Sequence, residues 1–300
     1  MKKFLIKLFI FVILVLLIFA GLVLSSDCLI GKRKGQLLTL SDDINYVFAG
    51  NSAVECAVSD RMVKHSINIA ESGEAYLYSY VKIKALAETN KHLKAVFLGY
   101  SFADLLLEKE VSWVFSDEVI IEKVQYYNYL LGPTERNLLF SNNPRAYTKG
   151  LIRSVVNNIS SVLRAKPGPK YPGQLINFGG YKYLIRDKLK VDPGIDPDND
   201  GPVQKSIQQE KYLTMISDLC RQNSIRLILF TTPKHKSYTE NLNKNNLQLW
   251  LDVRNSLSAD SLLELSTFSL PDSCFGDMSH LNYRGADLFS RYLNDLINPE

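Results

Sequence analysis

The sequence predicts an α/β domain, built on a mostly parallel sheet and preceded by one N-terminal apolar helix. Three observations carry that expectation. Residues 8–24 hold no charge and no proline and are almost all Leu, Ile, Val and Phe. Beyond them, short apolar runs that stop at glycine alternate with segments patterned as helices, the signature of strands joined by crossover helices. Two polar motifs flank this alternation: Gly50-Asn51-Ser52 after the first run, and Asp277-Met278-Ser279-His280 before the last helix.

The apolar segment, Phe4 to Leu24, is long enough to cross a hydrocarbon core, which takes about 20 helical residues. Lys7 lies near its start, where a long aliphatic stem can carry the ammonium to the headgroups. Lys2, Lys3 and Lys7 favour a cytoplasmic N-terminus, and Lys32, Arg33 and Lys34 beyond the helix blunt that asymmetry. Two other readings are a cleaved signal, whose apolar region is usually about 7–15 residues, and a lipid-modified Cys28. In the second, Asp27 stands where a small residue belongs. The expected organisation is therefore an anchor or signal over 1–24, a polar linker over 25–43 and a domain over 44–300. Residues 166–203 form a Pro- and Gly-rich insertion in that domain.

Composition excludes several classes. The net charge is only +4 and the basic residues are scattered, which leaves no electrostatic footprint for nucleic acid. Cys28, Cys56, Cys220 and Cys274 contain no C-x-x-C pair, so zinc and thioredoxin-like chemistry lack support. In an oxidising compartment one disulfide is open to them, with no pairing preferred. Asp192, Asp196, Asp198 and Asp200 lack the spacing and terminal Glu of a calcium loop and read as a solvated turn.

Tyr46–Ala49 reads as a buried strand ended by Gly50. A helix is expected over 53–64, a strand over 66–70, and a helix over 74–88 burying Leu77, Val81, Ile83 and Leu86. A strand over 93–98 ends at Gly99. Residues 110–165 carry mostly helical patterning, with Tyr126, Tyr127 and Tyr129 as core. Helices over 206–223, 242–258 and 283–296 then alternate with strands over 225–230 and 262–265. In such sheets ligands bind outside the carboxyl ends of the strands.

A serine on a tight strand-to-helix turn exposes its hydroxyl beside backbone N–H groups that can hold an oxyanion. A histidine must take its proton, because free serine is a poor nucleophile at neutral pH. A carboxylate then fixes the imidazole tautomer. Ser52, His280 and Asp277 supply these three groups. Each also has an ordinary role: Ser52 as a helix cap, Asp277 as a turn former, His280 or Asn282 as a cap of the last helix. Of the other histidines, His65 and His92 read as surface residues, and His235 is the second candidate base.

Together the two motifs resemble the SGNH hydrolase superfamily, the GDSL-type esterases and lipases. That family places its nucleophile in a Gly-Asp-Ser or similar turn after the first strand and ends in Asp-x-x-His before the C-terminal helix. Here Asn51 replaces the Asp, and Leu281-Asn282-Tyr283-Arg284-Gly285-Ala286 continues in the family's manner. The resemblance implies a flavodoxin-like three-layer sandwich. It assigns Ser52 as nucleophile, His280 as base and Asp277 as its orienter, with the backbone N–H groups of Ser52 and Gly99 as oxyanion hole. The family's Gly-x-Asn-Asp block, which supplies a further oxyanion donor, is not found; Asn51, Thr231 and Thr232 are candidate substitutes. The layout is similar to anchored relatives that acylate cell-surface polymers, which would make Pro233–Tyr238, with His235, a substrate-side loop. The implied function is an anchored serine esterase or O-acyltransferase acting on acyl esters of an envelope glycan, on the non-cytoplasmic side and without metal or organic cofactor. The alternative is a catalytically weak scaffold that binds a glycan or a membrane acyltransferase partner.

Overall fold

A computed structural model describes residues 1–163, 178–186, 204–239 and 244–299. The aspartates at 192–200 lie outside the described residues, as does most of the 166–203 insertion. In chain order the elements are α1 (Lys2–Leu38), β1 (Tyr46–Ala49), α2 (Ser52–Ala57), β2 (Ser66–Asn68), α3 (Tyr76–Thr89), β3 (Ala95–Gly99), α4 (Leu107–Lys109), α5 (Asp117–Tyr127), α6 (Pro133–Asn142), α7 (Pro144–Leu163), α8 (Ile207–Gln222), β4 (Arg226–Phe230), α9 (Lys236–Thr239), α10 (Lys244–Ser256), β5 (Ser261–Leu263) and α11 (Tyr283–Ile297). The chain forms two compact units, Met1–Leu38 with Phe115–Tyr171, and Thr39–Val114 with Pro172–Glu300. The expected domain over 44–300 is thus divided, and its helical middle belongs with the N-terminal helix.

In the first unit, α1 is long and apolar enough over Lys2–Cys28 to cross a membrane. It does not stop at Leu24. Residues 25–38, expected as part of a polar linker, continue the helix. The cause is tertiary. The Asp27 carboxylate accepts from Asn128 Nδ2 at 2.9 and 3.0 Å and from Arg136 Nη2 at 2.8 Å, and Ser26 Oγ donates back to the Val23 carbonyl. These contacts override the polar composition that suggested a linker. Helices α5 and α7 approach closely at Gly150, where a Cβ would stand 2.9 Å from Val124 Cβ. Tyr127 is buried there, and Tyr126 and Tyr129 are partly buried.

The second unit holds a five-stranded parallel sheet of order β2-β1-β3-β4-β5. Its centre reads as continuous apolar runs because both faces are covered. Phe48 stacks on Phe97 at 4.8 Å, and Phe230 meets both edge-on. Burying each such ring contributes about 1.5–3 kcal/mol. Helix α3 packs with α8, and α11 with α2. Lys82, wholly buried, is tied to the Glu74 carboxylate and to the carbonyls of Ile69 (2.6 Å) and Phe178 (3.1 Å). That cage fixes residue 178 beside the end of β2.

Helix α2 is shorter than its pattern suggested. It ends at Ala57, not residue 64, because polar tertiary bonds turn the chain. Ser59 N–H donates to Ser290 Oγ at 2.8 Å, Asn68 Nδ2 to the Val58 carbonyl at 2.7 Å, and the Asp60 carboxylate accepts the Asn68 N–H at 3.0 Å. Two glycines let the strand ends close beneath α2. A Cβ on Gly99 would stand 2.4 Å from Val54 Cγ2; Gly50 has φ +142°, and its Cβ would lie 3.3 Å from Gly99 Cα. Only glycine fits both demands at position 50.

Candidate active site

The site forms at the carboxyl end of the sheet. The Asn51 side chain caps α2 by accepting the Ala53 N–H at 2.9 Å. This sets Ser52 at the head of the helix, with its hydroxyl directed out of the β1 turn. The loop before α11 arrives from the other side. Asn282 caps α11 through Arg284 N–H and Gly285 N–H, and its amide holds the carbonyls of Ser273 and Arg186. The preceding residues are thereby held in a fixed turn.

The two segments, more than two hundred residues apart in sequence, meet at their functional groups. Ser52 Oγ lies 2.8 Å from His280 Nε2, and His280 Nδ1 lies 2.7 Å from Asp277 Oδ1. A carboxylate only accepts, so Nδ1 carries the proton and Nε2 is left to accept from the serine hydroxyl. Asp277 Oδ1 also takes the N–H groups of Ser279 (3.0 Å) and His280 (2.9 Å) and the Ser279 hydroxyl (3.2 Å). Burial pushes the Asp277 carboxyl up, but the hydrogen bond and charge of His280 together with the Ser279 donors outweigh it and hold the group at about 2. It is therefore ionised across the neutral range. Arg186 Nη1 stands 3.2 Å from Asp277 Oδ2. Chemically, this arrangement can draw a proton from Ser52 and stabilise the imidazolium that results.

Beneath the serine turn lies a buried carboxylate that no sequence pattern flagged. Asp104 Oδ1 accepts from Asn51 Nδ2 at 2.7 Å, and Oδ2 accepts the Ser101 N–H at 3.1 Å. Burial pushes the Asp104 carboxyl up to about 6, against the pull of the Ser101 N–H, Lys234 and Asn51. This explains why position 51 is Asn. An Asp there would put two carboxylates in hydrogen-bond contact, whereas Asn donates to Asp104 with one end and caps α2 with the other.

The remaining expected site residues fall differently. Gly99 lies beside Gly50 and Val54, beneath the turn. Asn51 gives one of its two amide N–H groups to Asp104. Thr231 is likewise engaged, donating to Glu264 Oε1 at 2.9 Å, and Thr232 is buried in the turn after β4. His235 is not placed as a base for Ser52. Its Nε2 faces Asp272 at 3.3 Å, its Nδ1 accepts the Ser237 N–H at 3.3 Å, and its own N–H donates to the Met278 carbonyl. Cys56, one turn past Ser52, is no rival nucleophile, because burial pushes its thiol up to about 12. All four cysteines are free. Among the described residues no group of three His, Cys, Asp or Glu side chains is arranged to hold a metal ion.

Sequence reasoning missed Asp104, Arg186 and the chemistry of Lys234. Lys234 Nζ, nine-tenths buried, donates to the carbonyl of Ser279, the residue before His280, at 2.9 Å. Only Lys234 carried a signal, as part of the loop after β4. A family model for an uncharacterised family matches residues 203–300. That stretch holds Lys234, Asp277 and His280 but not Ser52. Comparison with curated proteins gives no match.

Proposed function

We propose that this chain is a membrane-anchored serine esterase or O-acyltransferase of SGNH type, acting on acyl esters of an envelope glycan. The observation that carries this reading is the in-line relay of Ser52, His280 and Asp277, at 2.8 and 2.7 Å. Ser52 Oγ attacks the ester carbonyl as its proton passes to His280 Nε2. The backbone N–H groups of Ser52 and Gly99 hold the oxyanion. Collapse of the tetrahedral intermediate breaks the ester bond, and His280 returns the proton to the departing alcohol. The acyl group on Ser52 then passes to water, or to a polymer hydroxyl deprotonated by the same imidazole. Hydrolysis and transfer differ only in that acceptor.

The strand order with α2 and α11 paired, and α3 and α8 paired, supports the three-layer flavodoxin-like arrangement. The apolar helix supports membrane attachment, with the sheet-bearing unit on the non-cytoplasmic side. A second reading, a catalytically weak scaffold for a glycan or an acyltransferase partner, is favoured by one observation. One Asn51 amide N–H is taken by Asp104, and one oxyanion donor is typically worth ~2.7–4 kcal/mol of barrier.

An acyl-release assay separates the two readings. The full-length chain in detergent is offered an aryl acetate, with and without an unacylated oligosaccharide. The enzyme reading expects Ser52-dependent acetate release, partly diverted to the sugar when acceptor is present. Absence of turnover above the Ser52→Ala background sinks it and leaves the scaffold. A C-terminal reporter active only in the cytoplasm would overturn the sidedness.

A further inference from the structure

At the carboxyl ends of β3, β4 and β5 lies a small cavity of about 190 Å³ with a mostly apolar lining. Its walls include Ser101, Lys234, Tyr238, Leu247, Trp250 and Glu264. Trp250 is held rigidly: its ring stacks on Tyr100 at 5.2 Å, and the Tyr100 hydroxyl donates to the Trp250 carbonyl at 2.6 Å. Hydrogen bonds lead from its walls towards both halves of the triad. Lys234 is bonded to Ser279, next to His280, and Ser101 is linked through Asp104 and Asn51 to Ser52. From β1 to β4 is two strand spacings, roughly 10 Å, so the cavity suits a part of the substrate beyond the reacting ester.

The informative wall is Lys234. It is only 9% exposed. An ammonium carries three donors, and one of them is accepted by the Ser279 carbonyl. A second contact is the face of Tyr238, 5.7 Å away. Among the described residues no carboxylate lies within 4 Å of this cation. Asp104 and Asp277 act on it only through space, and desolvation lowers it to about 8. Glu264, the carboxylate of the same cavity, is held elsewhere, accepting from Thr231 Oγ1 at 2.9 Å and from the Ser266 N–H at 3.0 Å. Buried cations in proteins are paired because an unpaired one is costly.

We propose that this cavity is a subsite for an anionic group, a carboxylate or phosphate, on the polymer unit next to the acyl ester, bound by the Lys234 ammonium against the Trp250 and Tyr238 walls. This rests on the esterase reading for its neighbour Ser52, but the subsite is tested separately. Glu264 would repel the anion from its own side of the cavity and so orient the bound unit.

The chain has two tryptophans, Trp113 and Trp250, so Trp113→Phe leaves Trp250 as the sole fluorophore. The full-length Trp113→Phe chain in detergent is titrated with glucuronate, glucose 6-phosphate and glucose, following Trp250 emission. Both anionic sugars, or the one whose anion matches the natural unit, are expected to bind at least tenfold tighter than glucose. That advantage disappears in Lys234→Met. Glucose binding as tightly as both anions, or an anion preference that survives Lys234→Met, overturns the assignment. If Lys234→Met fails to fold, Glu264→Gln carries the test: anion affinity must rise several-fold, and unchanged or weaker affinity overturns it. Fluorophosphonate labelling of Ser52 in the same preparations reports on the esterase reading alone. Anion binding without labelling removes the enzyme and keeps the subsite, and labelling without anion preference does the reverse.

Discussion

Two His–Asp pairs stand at the carboxyl end of the same sheet, and only one also meets a serine hydroxyl. His280 has Asp277 at 2.7 Å on one nitrogen and the Ser52 hydroxyl at 2.8 Å on the other. His235 has Asp272 at 3.3 Å on Nε2, and its Nδ1 already accepts a backbone N–H. Asp277 is sheltered and gathers four further donors, whereas the Asp272 side chain is 70% exposed. A neighbouring carboxylate is thus insufficient to make a base. The second ring nitrogen must be free to accept from a nucleophile, and the carboxylate must be fixed by bonds of its own.

The sharpest way to break this comparison is to remove each histidine. On the esterase reading, Ser52→Ala and His280→Ala each lower kcat by up to ~10⁶-fold, as removal of a triad nucleophile or base can. His235→Ala stays within a few-fold. A comparable loss in His235→Ala, measured as acetate release, would erase the distinction. Next in size is Asp277→Asn. It keeps the shape but favours the wrong tautomer, and a drop on the order of 10⁴ in kcat is expected. Asp272→Asn leaves the rate near wild type.

A third test sharpens the comparison at the serine turn. Asn51→Asp restores the Gly-Asp-Ser form yet sets a second carboxylate against Asp104. A loss of about 1–3 kcal/mol, hence roughly 5- to 150-fold in rate, is expected. Combining it with Asp104→Asn re-forms a donor–acceptor pair and recovers most of that loss. Failure of the double variant to exceed Asn51→Asp would remove Asp104 from its positioning role.

The last test concerns pH and reads stability, not rate. Asp104 sits at about 6 in the fold against an ordinary 3.8. Because this value is raised, its contribution to stability is full below pH ~4 and is lost as the pH rises through ~6. From pH 4 to pH 7 the wild type should therefore lose about 2–3 kcal/mol relative to Asp104→Asn. Thermal unfolding of the two chains across that range measures it, and a pH-independent difference would contradict the buried charge. Asp277 works in the opposite sense. Its lowered value adds stability above pH ~4 that disappears as the pH falls towards 2.

What the sequence made legible follows from what is local. The central strands β1, β3 and β4 could be read because each is a short apolar run closed by glycine or a turn, and a parallel sheet buried on both faces demands that pattern. Ser52, Asp277 and His280 could be named because a serine turn and an Asp-x-x-His loop are local shapes with a shared chemistry. The remainder depends on distant partners. Helix α1 continues past Leu24 because Asp27 finds Arg136 and Asn128, more than a hundred residues away. Helix α2 stops at Ala57 because Ser290 and Asn68 take over its polar groups. The bond between Asn51 and Asp104 spans 53 residues with no fixed spacing rule, and so the meaning of Asn at position 51 became visible only in three dimensions.

The central claim is that Ser52 is a nucleophile activated by His280. Its most direct test is labelling of the full-length chain with a fluorophosphonate, followed by mapping of the modified peptide. A single adduct on Ser52 is predicted, abolished in His280→Ala and retained in His235→Ala. Labelling that persists undiminished in Ser52→Ala would contradict it.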